Sequence, residues 1–167
     1  MLDEFRMDNG IIDVRVDDRM VHGIVATMWL PGMKATRVMV ISENAAKNDM
    51  IRSTIKMATP GGVALSVLAP SKAIENFSIN KYAGQRVFIV GKSIADIYEI
   101  YKGGVKFKRV NLGDVTQNDK PVAVLNKTVR VSAEEKQMLK EMRDAGILIN
   151  CQFRTDDPII NCTTVLD

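Results

Sequence analysis

The chain predicts a three-layer, doubly wound α/β domain: a mostly parallel sheet with helices on both faces. Three observations carry that expectation. Short apolar runs alternate with segments of helical periodicity along the 167 residues, the pattern of repeated βαβ units. Runs such as Val38 to Ile41 are continuously apolar rather than alternating, as strands covered on both faces are. The connections are also long enough for right-handed crossovers between parallel neighbours. A chain of this size exposes about 8,200 Å² when folded against roughly 27,000 Å² unfolded, so one core can be built without staples.

The elements follow in order. The first ten residues, polar and ending in Asn9-Gly10, read as a ragged extension, so the expected division is 1–10 extension and 11–167 single domain. Ile11 to Val16 is a β-branched strand. After the charged interruption at Asp17, Asp18 and Arg19, Val21 to Leu30 has helical spacing and stops at Pro31-Gly32. Val38 to Ile41 is the second strand, followed by a helix from Glu43 through Met57 that Thr59-Pro60-Gly61-Gly62 breaks. Val63 to Leu68, Arg86 to Val90 and Lys108 to Leu112 are further strands, separated by helices at Ser71 to Phe77 and from Ser93 to Tyr101. Ser93 with Asp96, and later Ser132 with Glu135, have capping-box spacing. A polar loop from Gly113 to Lys120 leads to an extended arm or hairpin from Val122 to Val131. The second capped helix ends at Gly146, and Ile147 to Phe153 is the last clear strand; the tail to Asp167 has no clear pattern.

Composition narrows the function. Lys and Arg total 23 against 20 Asp and Glu, a net charge of +3 spread thinly, and aromatic content is 5%. That is not the concentrated basic face with stacking aromatics that nucleic acids need, so no nucleic-acid partner is expected. The single histidine, His22, rules out metal sites built on two or three imidazoles. No metal and no organic cofactor is called for. Cys151 and Cys162 are eleven apart and form no C-x-x-C pair; they read as free, inert thiols of a reducing compartment, though nothing in the sequence excludes a bridge between them. The N-terminus lacks a signal-peptide apolar region and no run reaches the length of a membrane span, so a soluble, cytoplasmic protein with no membrane insertion of its own is expected.

One segment stands out: Arg15-Val16-Asp17-Asp18-Arg19-Met20-Val21-His22-Gly23. It places two guanidiniums, two carboxylates and the only imidazole between the first strand and the following helix. In open α/β sheets, ligands bind at the carboxyl ends of strands. Helix N-termini offer free N–H groups and partial positive charge to phosphate, and arginines make bidentate contacts to phosphoryl oxygens. Neutral histidine is a competent nucleophile near pH 7, and a carboxylate on one ring N–H would fix its tautomer. The bland alternative is a helix-start histidine beside surface pairs of Asp17 and Asp18 with Arg15 and Arg19, each contributing about 0–1 kcal/mol.

That segment, with Val25 and Trp29 after it, resembles the R-I-D-D-R-L-I-H-G-Q-V…W signature of the IIB subunits of the bacterial phosphotransferase system, mannose/fructose/sorbose family. Similar segments follow in order: Asn48-Asp49-Met50, Ala58-Thr59-Pro60-Gly61-Gly62-Val63, Lys72-Ala73-Ile74 and Val110-Asn111-Leu112-Gly113. The likeness spans about residues 11 to 155. It implies a phosphocarrier that takes a phosphoryl group from a phosphohistidine on the IIA domain. The group then passes to a sugar arriving through the membrane subunits IIC and IID. By position, the resemblance makes His22 the phosphorylated residue. Arg15 and Arg19 would neutralise phosphoryl charge, Asp17 or Asp18 would orient the imidazole or shape the loop, and Gly23 would admit the phosphate close to the backbone. The loops at Lys92-Ser93 and Asn111 to Asp114 follow other strand ends and are candidates to line the pocket. A homo-oligomer is compatible with this reading.

One departure stands against it: the family's Gln after His-Gly is Ile24 here. It keeps a second reading open, a non-catalytic phosphate or small-ligand binding module descended from such a subunit. A third is a hydrolase using His22 for transient phosphorylation. Other signals are structural: Thr59-Pro60-Gly61-Gly62 lacks the ending of a P-loop, no G-x-G-x-x-G or G-x-S-x-G occurs, the ten methionines fall mostly inward, and Trp29 reads as a core anchor.

Overall fold

A computed structural model of the chain describes every residue except Met1 and Val165. The first strand, β1 (Ile11–Asp17), is buried along its whole length. It leads into a helix over 23–32 whose middle is a π-turn (Val25–Trp29) and whose last turn is α1 (Leu30–Gly32). Leu30 N–H donates to the Val25 carbonyl, one residue further back than in an α-helix. Pro31, expected to end this helix, sits inside its final turn; it has no N–H to donate, and the widened turn precedes it.

β2 (Arg37–Ile41) is followed by two helices where the sequence predicts one: α2 (Glu43–Lys47) and α3 (Asp49–Ala58). The break is Asn48, which adopts an extended conformation and accepts the Ile51 N–H on its side chain as an N-cap. β3 (Ala64–Leu68), α4 (Pro70–Ser78), β4 (Val87–Gly91) and α5 (Ile94–Lys102) come next. β5 (Arg109–Asp114) runs two residues beyond the expected Leu112, because Asp114 still pairs with Asp17 of β1. The arm at 122–131 is an antiparallel hairpin, β6 (Ala123–Asn126) and β7 (Val129–Val131). α6 (Ala133–Asp144), β8 (Leu148–Cys151) and a two-residue β9 (Ile160–Asn161) complete the chain. Both expected capping boxes, Ser93–Asp96 and Ser132–Glu135, are formed.

The main sheet has the order β3-β2-β4-β1-β5-β8-β9, parallel throughout except β9, which pairs antiparallel with β8. One face packs Val38, Val40, Phe88 and Val90 under Val25, Trp29, Ala45 and Ile55, from the helix over 23–32, α2 and α3. The other packs Met39, Ile41, Ile89, Leu112 and Ile149 under Ala73, Ile97, Ile100, Leu139 and Met142 of α4, α5 and α6. This is the doubly wound architecture expected, and its folded surface of 8225 Å² agrees with the size scaling.

Residues 2–10 are turns packed against the body. Phe5 lies 4.0 Å from the guanidinium of Arg109, which is itself paired with buried Asp13. Gly10 takes φ 102°, and any Cβ there would run into the Tyr82 carbonyl, so the turn into β1 requires glycine. Among the described residues no helix is long and apolar enough to cross a membrane.

The topology places the site. β1 lies between β4 and β5; the crossover leaving β1, through the helix over 23–32, covers one face, while the crossover leaving β5, through α6, covers the other. The loops leaving β1 and β5 therefore diverge, opening a crevice at the carboxyl end of β1.

Candidate active site

Period-two alternation puts Arg15 and Asp17 on the same face of β1, adjacent and fully buried. Arg15 Nε and Nη2 donate to Asp17 Oδ2 at 3.2 and 3.1 Å, and Nη1 donates to the Gln152 carbonyl at 3.0 Å. Its guanidinium lies between two rings, 5.1 Å from Trp29 and 5.8 Å from Phe153. Gly113 of β5 is what makes room, since a Cβ there would overlap the guanidinium. Burial pulls the Arg15 pKa down from the ordinary arginine value, and the Asp17 carboxylate opposes that pull.

Asp17 is the hub. Oδ2 accepts from Arg15 and contacts His22 Nε2 at 2.8 Å, and Oδ1 accepts the Arg19 backbone N–H at 3.0 Å. An ionised carboxylate only accepts, so the proton lies on Nε2 and the lone pair is left on Nδ1. The His22 side chain is 16% exposed, close to the surface but not loose. The turn before it is held tightly: Met20 N–H donates to the Asp17 carbonyl and Met20 takes the left-handed φ of 62°. Gly23 begins the helix, and a Cβ there would meet nothing within 4 Å.

The remaining charged groups have other tasks. Asp18 accepts from the Thr116 backbone N–H at 2.8 Å and its hydroxyl at 3.0 Å, tying the β1 loop to the loop after β5. Arg19 donates through Nε to Asp114 Oδ2 at 3.0 Å, with its side chain 54% exposed and its guanidinium 5.8 Å from Phe153. The cluster thus separates two arginines that look alike in the sequence. One is interior, with each of its three nitrogens hydrogen-bonded; the other is paired at one edge and faces solvent.

Carboxylate oxygens of Asp17, Asp18 and Asp114 lie within 4.8 Å of one another, near enough to hold a cation. Each is already engaged, by Arg15 and His22, by Thr116 and by Arg19 respectively. The donors around these oxygens account for the grouping, so the arrangement does not call for an ion. Burial, then repulsion from Asp18 and Asp17, raises the Asp114 pKa, and Arg19 offsets this in part. A carboxyl whose folded pKa is raised binds its proton more tightly when folded, so its contribution is present at low pH and is lost as pH rises through that pKa. Relative to wild type, Asp114→Asn is therefore expected to gain thermal stability as pH goes from about 3 to 7. Paired melting curves across that range check it; a constant difference in Tm would contradict it.

Of the residues singled out from sequence, Arg15, Asp17, Arg19 and His22 share one connected network, and Asp18 joins it through Asp114, whose carbonyl accepts the Asp18 N–H at 2.9 Å. Ser93 is committed to the cap of α5 by its bond to Asp96. No local pattern pointed to Gln152, Phe153 and Thr116, which reach the site only because β5 lies beside β1 and β8 beside β5.

Residues 11–167 match the family model described as the PTS system sorbose subfamily IIB component. The chain is 26% identical over 153 residues to the sorbose-specific EIIB component of Lacticaseibacillus casei, covering 92% of this chain and 93% of that protein. It is 30% identical over 144 residues to the mannose-specific EIIAB component of Escherichia coli K12, covering 86% of this chain but 44% of that longer protein. The crystal structure of manxB from Thermoanaerobacter tengcongensis superposes with a TM-score of 0.85 at 26% identity, over 93% of this chain and 94% of that one. The match of the family model to residues 11–167, with the sequence and fold shared with these proteins, makes this chain a member of the sorbose/mannose/fructose family of phosphotransferase-system IIB components.

Proposed function

We propose that His22 is a phosphoryl carrier, charged by a phosphohistidine of a IIA domain and discharged to a sugar presented by the membrane subunits IIC and IID. The observation that carries this reading is the 2.8 Å contact between His22 Nε2 and the buried Asp17 carboxylate. It leaves Nδ1 as the nucleophile. In the charging step the Nδ1 lone pair forms the new N–P bond. The donor's P–N bond breaks, and its electron pair returns to the donor ring. His22 keeps its Nε2 proton, so the phosphorylated ring carries positive charge, which Asp17 stabilises where it develops.

Phosphoryl transfer depends on alignment and on neutralising charge over the equatorial oxygens. Arg19, half exposed and next to the ring's loop, supplies a guanidinium to them. The free N–H groups at the start of the helix over 23–32 supply further donors, and Gly23 leaves their approach open. Arg15 acts through Asp17 rather than on the phosphate. Residues 11–167 form the carrier unit, with 1–10 as its N-terminal extension, working in the cytoplasm. Ile24 in place of Gln removes one polar group from the approach to the ring without touching the relay.

The test is to incubate the chain with phosphoenolpyruvate, the general phosphotransferase proteins and a matching IIA, and then map the phosphate. Acid-labile label on the peptide containing His22, absent from His22→Ala, supports the proposal. Label that persists in His22→Ala, or phosphate bound without a covalent adduct, overturns it and favours a simple binding module.

A further inference from the structure

Cys151 and Cys162, inert by the sequence reading, meet in the fold. Cys151 ends β8 and stands opposite Ile160 of β9; Cys162 lies two residues further along, with its N–H on the Ile149 carbonyl. Diagonal positions of an antiparallel pair share one face. Both thiols point there, under α6, with their sulfurs 2.8 Å apart and both residues buried. Both are free thiols. A disulfide needs the sulfurs at about 2.05 Å, a displacement of less than 1 Å from where they stand.

We infer that Cys151 and Cys162 form a reversible disulfide, with hydroperoxide as oxidant, that closes the segment 152–161 into a covalent ring. The two thiols are not equivalent. Either sulfur can donate to the other, and this contact draws the Cys162 pKa below the ordinary thiol value while it and burial push that of Cys151 up, so Cys162 is the thiol that ionises first. In the first step the Cys162 thiolate attacks one peroxide oxygen, the O–O bond breaks, and the products are a sulfenic acid and hydroxide, which takes up a proton to become water. In the second, Cys151 attacks the Cys162 sulfur. The S–S bond forms, the S–O bond breaks, and a second water leaves with the Cys151 proton. Two thiols are oxidised by two electrons and one peroxide is reduced to two waters.

Access comes from the weakness of β9. It is a two-residue edge strand with Ile160 and Asn161 exposed, so local opening admits a small oxidant without unfolding the core. The ring encloses residues that hold the site. The Gln152 carbonyl accepts from Arg15 Nη1 at 3.0 Å and from Asn111 Nδ2 at 3.1 Å, and the Phe153 carbonyl accepts from Trp29 Nε1 at 3.0 Å. Oxidation therefore fastens the wall behind Arg15.

The test treats the whole chain with hydrogen peroxide at a protein concentration too low for intermolecular bridging, and it is independent of phosphoryl transfer. Expected is a mass loss of about 2 Da with both thiols gone from a denatured thiol count, reversed by dithiothreitol and absent in Cys151→Ser. Closing a ring of this length is also expected to raise Tm by roughly 8 °C relative to the reduced chain. Thiols that persist, separate gain of oxygen atoms on each cysteine, or the same mass loss in Cys151→Ser would overturn the inference. An oxidised chain that melts no higher than the reduced one would overturn the locking of 152–161.

Discussion

Replacing Arg15 by Ala is expected to lower the stability of the chain by about 3–5 kcal/mol, the cost of leaving a buried partner charge uncompensated. Arg15 is fully buried, and every nitrogen of its guanidinium is used, two on Asp17 and one on the Gln152 carbonyl. Removing it takes the guanidinium from the buried Asp17 carboxylate, opens a cavity beside Trp29 and Phe153, and leaves the Gln152 carbonyl with Asn111 Nδ2 alone of its two donors. Arg15→Met separates these effects. It fills most of the volume yet keeps the charge loss, so a similar cost in both variants assigns the effect to electrostatics. The contrast is Arg19→Ala, whose half-exposed pair with Asp114 contributes about 0–1 kcal/mol. Arg19→Ala is expected to fold normally and to transfer phosphate slowly, whereas Arg15→Ala loses fold and transfer together. Urea unfolding of the three variants measures this; a cost for Arg15→Ala under about 1 kcal/mol would refute the buried-pair account.

These two arginines mark how far the sequence could be read. The segment from Arg15 to Gly23 announced itself because its four charged groups and the sole histidine fall within one short stretch, but the strand was expected to stop at Val16, whereas it carries Asp17 as well and so sets Arg15 and Asp17 on one face. Nothing in that segment told that Arg15 would be interior and Arg19 exposed. The difference is set by Gly113, Gln152 and Phe153, which come from β5 and the end of β8, about a hundred residues or more along the chain. Strand order alone brings them in, and no local pattern encodes strand order. The smaller misreadings have the same origin. Gly113-Asp114 has loop composition, yet stays in the sheet because β1 offers it hydrogen-bond partners. The helical period from Glu43 to Met57 runs through Asn48, whose side chain satisfies the start of a new helix instead of continuing the old one. Trp29 was legible as a core anchor, and it is 3% exposed, but its Nε1 bond to the Phe153 carbonyl and its place beside Arg15 also make it a wall of the site.

Asp17→Asn is expected to reduce the rate of phosphoryl transfer on the order of 10⁴-fold, as when a catalytic imidazole loses its orienting carboxylate. In the native chain Asp17 accepts on both oxygens: Arg15 and His22 on Oδ2, the Arg19 N–H on Oδ1. An amide has one acceptor and one donor at these positions. If its oxygen stays toward Arg15 and His22, its NH₂ faces the Arg19 N–H. If it flips, the NH₂ faces a guanidinium and the Nε2 proton. The flipped amide drives that proton to Nδ1, the nitrogen that must attack. Either orientation also removes the negative charge that stabilises the phosphorylated ring. The uncharged amide leaves Arg15 buried without a counterion, so a loss of stability accompanies the loss of rate. Rapid-quench measurement of transfer from phosphorylated IIA, at a temperature where the variant is folded by circular dichroism, isolates the kinetic effect. Stability fails to explain a slow folded variant, and a transfer rate within about threefold of wild type would remove Asp17 from the mechanism. A second signature separates orientation from fold. In the native chain the carboxylate holds the Nε2–H tautomer, so nitrogen chemical shifts of His22 are expected to show one dominant neutral form, and in Asp17→Asn a mixture weighted toward Nδ1–H.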